Sequence, residues 1–175
     1  RMVSDMLFLA KTERGVDLPH KERFSVRQDA QALLDFYEAV AEEKHIRLRV
    51  EGDGEIEGDR LMFRRAVSNL LSNALRHAPE AGDVTIRIAA TAQATTVTVE
   101  NTGADIDAKT LPRLFDRFYR ADASRAHTDT DGSGLGLAIT RAIAEAHGGS
   151  VTASSGQGHT CFTLVFPYHI AKPSS

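Results

Sequence analysis

The sequence predicts an α+β domain, several long helices against a mostly antiparallel or mixed sheet. Two observations carry that expectation. Long stretches with apolar residues at helical spacing are separated by short segments that alternate apolar and polar residues. Capping residues and glycine turns fall at the joints between them. With 175 residues, 42% of them apolar, the chain suffices for one ordinary domain with its own core, plus an appendage.

Taken in order, Met2, Met6 and Leu9, with Val3, Leu7 and Ala10, recur at helical spacing. Residues 1–12 therefore read as the tail of an amphipathic helix, stopped by Gly15 and Pro19. Its apolar stripe either meets a partner or packs on its own domain. A short strand at Arg23–Val26 leads into a long helix, Arg27–Lys44, with Ala30, Leu33, Leu34, Tyr37 and Val40 on one side. Arg47–Glu51 alternates as a strand, and Gly52-Asp53-Gly54 turns it. Asp59 is a good N-cap for a second long helix that runs to about His77, ahead of Pro79. Leu61, Ala66, Val67, Leu70, Ala74 and Leu75 form its expected buried face. Two alternating strands follow, Val84–Ala90 and Thr95–Glu100, joined by a polar turn at Thr91–Ala94. Next come a short helix near Leu111–Phe118, a polar stretch Arg120–Asp131, and a third long helix from about Leu135 to His147, ended by Gly148-Gly149. Strands Ser150–Ser154 and Thr160–Pro167, around a Gly156-Gln157-Gly158 turn, close the layout.

Composition narrows the function. Twenty-one Lys+Arg against 24 Asp+Glu give a net charge of −3 and no electrostatic footprint for nucleic acid, so any phosphate-binding stripe must be local. The lone Cys161 excludes an internal disulfide framework and agrees with a reducing compartment. The longest apolar runs, about five residues as in Met6–Ala10, fall far short of the roughly 20 that a spanning helix needs. The first residues lack the unbroken apolar stretch of a signal peptide, and the start at Arg1 in mid-pattern reads as an excised piece of something longer.

Four segments could carry chemistry. In Gly132-Ser133-Gly134-Leu135-Gly136-Leu137, glycines on alternate positions before a helix let backbone N–H groups approach a phosphate, where the helix N-terminus adds partial positive charge. Alone this could be a flexible helix start. A dinucleotide fingerprint fails because no strand directly precedes it, and a P-loop fails for want of Gly-Lys-Ser/Thr. A protein-kinase glycine loop fails because its later Val-Ala-Ile-Lys and His-Arg-Asp segments are absent. In Asn69–His77, spacing of four puts Asn69, Asn73 and His77 on one helical face with Arg76 beside Asn73. Asn is a poor helix former, and its carboxamide oxygen is a hard neutral ligand suited to Mg²⁺; the plain alternative is a solvated polar face. Glu100-Asn101-Thr102-Gly103-Ala104-Asp105-Ile106 is a strand end running into a loop, able to read a base edge or to be an ordinary turn. Leu114-Phe115-Asp116-Arg117-Phe118-Tyr119-Arg120 clusters aromatics before the polar stretch, with Phe115 and Phe118 suited to core or hinge packing. The seven His have no metal-ligand spacing and are mostly expected at the surface.

In this order the four segments resemble the ATP-binding catalytic domain of sensor histidine kinases: an N-box (Asn69–His77), a first glycine box (Asn101–Asp105), an aromatic box (Phe115–Phe118) and a second glycine box (Gly132–Gly136). The match spans roughly Phe24–Pro167. Val-Glu-Asn-Thr-Gly followed by Leu-Pro-Arg-Leu-Phe-Asp-Arg-Phe-Tyr-Arg is most similar to the heavy-metal-responsive members. The resemblance implies a two-layer α/β sandwich of the histidine kinase, gyrase and Hsp90 ATPase type, a mixed sheet of about five strands covered on one face by three helices. It implies residues 1–15 as the tail of a dimerisation and phosphoacceptor helix, 16–22 as a linker, 23–168 as the ATP-binding domain and 169–175 as a C-terminal tail. It further implies ATP and Mg²⁺ as cofactors, with Asn73 on the metal assisted by Asn69, and Arg76 and Arg120 facing the phosphates. His77, Gly103, Asp105, Ile106, Tyr119, Gly132, Ser133, Gly134, Leu135, Gly136 and Thr160 are carried over as nucleotide contacts, and Asn101 as the partner of the adenine amine. Arg120–Asp131 would be a lid over the nucleotide.

The departures are specific. Most members have Asp where Asn101 stands and Gly where Asp105 stands. Asn still accepts but without charge assistance, so adenine affinity is expected to fall, and because Asn can also donate, so is the preference over guanine. At the last box His159 replaces the usual glycine, which lowers the weight on Thr160. No His has the context of the phosphoacceptor; His20-Lys21-Glu22 lies in a Pro-broken linker. The expected partners are the phosphoacceptor helical domain of the same kinase, a downstream response regulator and a second copy in the full-length homodimer, with no nucleic acid and no membrane contact by this fragment. The expected setting is the cytoplasmic part of a bacterial inner-membrane sensor. Rival assignments are an ATPase, which would need Glu at Asn69 to activate water, a serine kinase that restrains a transcription factor (an anti-sigma-type regulator), and a decayed ATP-binding module.

Overall fold

A computed structural model of the chain describes residues 6–7, 21–116 and 136–168. Met6 and Leu7 are helical and exposed. The rest of residues 1–20, the polar stretch with its flanks (117–135) and residues 169–175 lie outside the described residues. The elements run β1 (Lys21–Ser25), α1 (Val26–Glu43), β2 (Arg47–Gly52), β3 (Glu55–Asp59), α2 (Arg60–His77), β4 (Asp83–Ala90), β5 (Ala94–Thr102), a 3₁₀ helix (Leu111–Phe115), α3 (Gly136–Ala146), β6 (Ser150–Gly156) and β7 (His159–Pro167). The main sheet has five strands in the order β2-β4-β5-β7-β6, parallel between β2 and β4 and antiparallel elsewhere. β1 and β3 form a separate antiparallel pair.

Alternation fixes which sheet face is covered. Val84, Ile86 and Ile88 of β4, Val97 and Val99 of β5, and Phe162, Leu164 and Phe166 of β7 are all buried, while their neighbours in sequence point to the other face. Against the apolar face pack α1 on β2, α2 on β5, and α3 on β6 and β7. Phe63 of α2 is the centre of the core, 5.3 Å from Phe24 and 5.6 Å from Phe166 between ring centroids. This is the expected two-layer sandwich. The expected Asp59 cap holds, with Oδ1 accepting from Met62 N at 3.0 Å, and Ser25 caps the first long helix, its Oγ accepting from Gln28 N at 3.3 Å.

Several local expectations need correction. No strand was expected between the Gly54 turn and the Asp59 cap, yet β3 occupies it. Glu-Ile-Glu-Gly-Asp carries one large apolar side chain, Ile56, so its alternation is too sparse to read, and it forms because β1 supplies a partner. β1 begins at Lys21, inside the expected linker, and Val26 starts α1 instead of ending a strand. Leu61 is 72% exposed, because in the first turn of α2 Phe63 takes the inward direction and is fully buried. Val40 is also exposed; α1 turns Ala30, Leu34 and Ala41 inward. The short helix at Leu111 is 3₁₀ and ends at Phe115, whose buried ring meets Phe162 edge-on. His147 is buried, with Nδ1 donating to Ile143 O at 2.8 Å and Nε2 accepting from Asp59 N at 3.1 Å, the neutral ring in one tautomer. That contact explains Gly58, where a Cβ would lie 2.3 Å from His147 Cδ2.

Candidate functional site

The C-terminal half of α2 is the spine of the site. Its Leu70, Leu71, Ala74 and Leu75 are in the core. Asn73 is buried too, and its carboxamide has no hydrogen-bond partner among the described residues. Asn69, one turn earlier and half-buried, donates from Nδ2 to Gly136 O at 3.0 Å. Arg76 is exposed, with Nη1 3.0 Å from Ser72 Oγ. His77 closes the helix. Surrounding protein holds its imidazole below the ordinary 6.5, helped by the nearby cations Arg76 and Lys44. Lys44 is there because its Nζ binds the α2 carbonyl of Leu75 at 2.8 Å.

The second component is the end of β5 and its exit loop. Asn101 is 2% exposed; its Nδ2 donates to Thr102 O at 2.9 Å, while its buried Oδ1 has no partner. A flipped amide would set two oxygens against each other at Thr102, so the nitrogen is held there and Oδ1 is the atom left without a partner. Gly103 follows at φ +152°, and a Cβ there would lie 2.9 Å from His77 O and 3.4 Å from Asn101 Nδ2. This close approach is what docks the loop on the end of α2. Asp105 Oδ1 accepts from Gly158 N at 2.9 Å, and Gly103 N donates to Gly158 O at 2.9 Å. The Asp105 carboxylate thus caps the β6–β7 turn. Ile106 packs partly against the core and its N–H donates to Ser155 Oγ at 2.8 Å. Thr160, buried and opposite Asn101 in register, shares a hydrogen bond with Ser155 at 3.0 Å. His159, replacing the expected glycine, stands on the other sheet face with Glu100 at 3.0 Å.

α2 therefore touches both glycine boxes, the first through His77 and Gly103 and the second through Asn69 and Gly136. Asn69 and His77 lie two turns apart, about 12 Å along the axis. Tyr119, Arg120, Gly132, Ser133, Gly134 and Leu135 lie outside the described residues. Two residues of the site carry no sequence signal: Ser155, and Thr140, whose buried Oγ1 lies 2.9 Å from Gly136 O. Each is an ordinary hydroxyl in a regular element, and only the tertiary neighbour gives it a role.

The donor set decides which groups fit. Among the described residues no cluster of three or more His, Cys, Asp or Glu could hold a metal ion. What α2 offers is a pair of neutral amide oxygens, which suits a hard cation that takes its remaining ligands from phosphate and water. The orphan Asn101 acceptor suits an amine on a base edge.

The family model described as histidine kinase-, DNA gyrase B-, and HSP90-like ATPase matches residues 58–170. The chain belongs to this ATPase family. Among curated relatives it is 44% identical over 168 residues to the sensor histidine kinase CusS of Escherichia coli K12, covering 95% of this chain and 35% of that protein. To the sensor protein IrlS of Burkholderia pseudomallei it is 42% identical over 173 residues, 98% of this chain and 37% of that one. The chain thus spans about a third of the length of these relatives, 35% in CusS. The mycobacterial sensor histidine kinase MprB has a similar structure, with TM-score 0.71, 26% identity, and 85% of this chain and 97% of that one covered. The Acinetobacter baumannii histidine kinase AdeS shares the fold at TM-score 0.79 and 22% identity, over 96% of this chain and 77% of that one. As in these ATPase-family structures, the mixed sheet carries its helices on one face.

Proposed function

We propose that this chain is the Mg·ATP-binding catalytic part of a sensor histidine kinase. It passes the γ-phosphoryl group to a histidine on the dimerisation and phosphoacceptor helical domain of the same kinase. A response regulator then receives the group in two-component signalling. The supporting observation is the contact of α2 with both glycine boxes, which gathers Asn69, Asn73, Gly136, Gly103 and Asn101 along one edge. The motif combination and the CusS and IrlS likenesses favour the heavy-metal-responsive branch. The homodimer, and a place on the cytoplasmic side of a bacterial inner membrane, belong to the full-length protein in this proposal; no described helix is long and apolar enough to cross a membrane.

Each residue then has a task. Asn101 Oδ1 accepts from the exocyclic amine of adenine. Its Nδ2 is held at Thr102 O, which leaves Oδ1 as the unpartnered atom for that amine and supports the adenine reading. Ile106 and Thr160 line the same end, while Asp105 holds the turn beneath it. Asn73, with Asn69, would hold Mg²⁺, which supplies neutralisation of the phosphate charge. Arg76 offsets further negative charge, as would Arg120. An amide at position 69, with its nitrogen bonded to Gly136 O, cannot take a proton from water, which favours transfer over hydrolysis. Catalysis then rests on positioning and charge stabilisation.

Calorimetric titration with a non-hydrolysable ATP analogue, with and without Mg²⁺, tests the binding. Mixing the chain with a separate acceptor-helix dimer and labelled ATP should yield acid-labile phosphohistidine. Analogue binding without label would favour a decayed binding module, and steady release of phosphate by the chain alone would favour the ATPase.

A further inference from the structure

Thr140 belongs to none of the sequence boxes, yet it sits where two of them meet. It is fully buried on α3, one turn after Gly136. Its Oγ1 lies 2.9 Å from Gly136 O and 3.5 Å from Ala66 O, and the shorter contact takes the hydroxyl proton. Asn69 Nδ2 lies 3.0 Å from the same Gly136 carbonyl and 3.4 Å from Thr140 Oγ1. The carbonyl therefore accepts two donors, while the hydroxyl oxygen faces the amide nitrogen. Both groups facing the Asn69 amide on this side offer oxygen lone pairs. A reversed amide would bring its own oxygen against them, so Oδ1 is turned away from that carbonyl and hydroxyl. The carboxamide also lies across the start of α3, since a Cβ on Gly136 would sit 3.8 Å from Asn69 Cγ and 3.9 Å from Oδ1.

A Thr hydroxyl often bonds back to the carbonyl four residues earlier with no further consequence. Here the same carbonyl and hydroxyl also seat the amide of another helix. We propose that Thr140 is a positioning residue: it fixes the Asn69 carboxamide so that Oδ1 is presented to a divalent cation, and it ties that ligand to the last glycine of the second box. This rests on the reading of Asn69 and Asn73 as the pair that holds Mg²⁺. Metal affinity and the placement of Gly136 are then coupled through one hydroxyl.

The test uses the 175-residue chain. Calorimetry gives the half-saturating Mg²⁺ concentration for binding of a non-hydrolysable ATP analogue, the analogue's affinity in EDTA, and the melting temperature alongside. Thr140→Val, which keeps the shape and removes the hydroxyl, should raise the half-saturating Mg²⁺ about three- to tenfold, the worth of one neutral hydrogen bond. Its metal-free affinity should stay within about twofold, and Thr140→Ser should restore the Mg²⁺ response. Asn69→Ala should raise the Mg²⁺ requirement as well, and Thr140→Val should add nothing in that background. Thr140→Ala carries the same test should the valine variant not fold. The proposal is overturned by a wild-type Mg²⁺ response in Thr140→Val or Thr140→Ala, by failure of Thr140→Ser to restore it, by additivity with Asn69→Ala, or by metal-free affinity falling in step with the melting temperature. Wild-type binding that ignores Mg²⁺ would overturn the metal assignment of Asn69 and Asn73 first, and this proposal with it.

Discussion

The two ends of the site are built differently. At the base end, β5, its exit loop and the β6–β7 turn are interlocked by Gly103 N–Gly158 O, Asp105–Gly158 N, Ile106 N–Ser155 and Ser155–Thr160. Asn101 and Thr160 are buried there, and one acceptor, Asn101 Oδ1, remains without a partner. At the phosphate end, Asn73 has no described partner and Arg76 is exposed, with the Asn69–Gly136–Thr140 contact joining α2 to the start of α3. Preorganisation is concentrated where selectivity is needed. At the phosphate end the helix backbone and the Asn69 amide are set in advance, and any side-chain freedom lost there on binding costs up to about 2 kcal/mol per residue.

Breaking the rigid end should have the largest effect. Gly103→Ala forces a Cβ against His77 O at 2.9 Å from a backbone angle that L-residues rarely adopt. We expect a loss of about 1–3 kcal/mol in unfolding free energy by denaturant titration, with weaker nucleotide binding in parallel. Unchanged stability would mean that the loop is not docked on α2 as described. Asn73→Ala at the open end should separate those two quantities. It should cut Mg·ATP affinity at least tenfold, about 1.4 kcal/mol, while far-UV dichroism stays as in the wild type. Equal calorimetric binding would remove Asn73 from the metal.

A smaller change sharpens the contrast within the base end. Asn101→Asp exchanges a neutral bond to the adenine amine for a charge-assisted one, a gain of roughly 1 kcal/mol. It also loses the donor to Thr102 O and sets a carboxylate against that carbonyl. The expected result is several-fold tighter adenine nucleotide, a lower melting temperature without nucleotide, and a preference for ADP over GDP that rises by about the same factor, since guanine has no amine at that position. No change in either affinity or preference would remove Asn101 from the base pocket.

Legibility in the sequence follows the same division. Regular burial is easy to read: the alternation of β5 and β7, the apolar face at Leu70–Leu75 and the Asp59 cap all stand as expected. β3 was missed because its one large apolar residue gives no period, and Leu61 was misplaced because the first turn of a helix can lean either way. In the site, residue types at α2 and Asn101 could be read, since a buried amide is costly unless used. Their orientation could not. Which way Asn101 and Asn69 face depends on carbonyls at Thr102 and Gly136, and the role of Asp105 depends on a turn 53 residues away. Hydroxyls such as Thr140 and Ser155 are legible only in three dimensions.

The least effect is expected from His77, which stands at the junction of the two ends. Protein packing, then Arg76 and Lys44, depress its pKa below 6.5 in the folded chain. The unfolded chain keeps the ordinary value, so below pH 6.5 it binds a proton that the folded chain refuses. The stability gained from a neutral His77 is therefore present above that pH and is lost as pH falls toward the folded value. Denaturant midpoints should decline between about pH 7.5 and 5.5 in the wild type, and less steeply in His77→Gln. A triphosphate beside Arg76 would offset the like charges that depress His77, so nucleotide binding near pH 6 should take up a fraction of a proton. Calorimetry in two buffers of different ionisation heat measures that uptake directly. If His77→Gln shows the wild-type uptake, the proton goes elsewhere, and His77 is a packing residue at the helix end and not a neighbour of the phosphates.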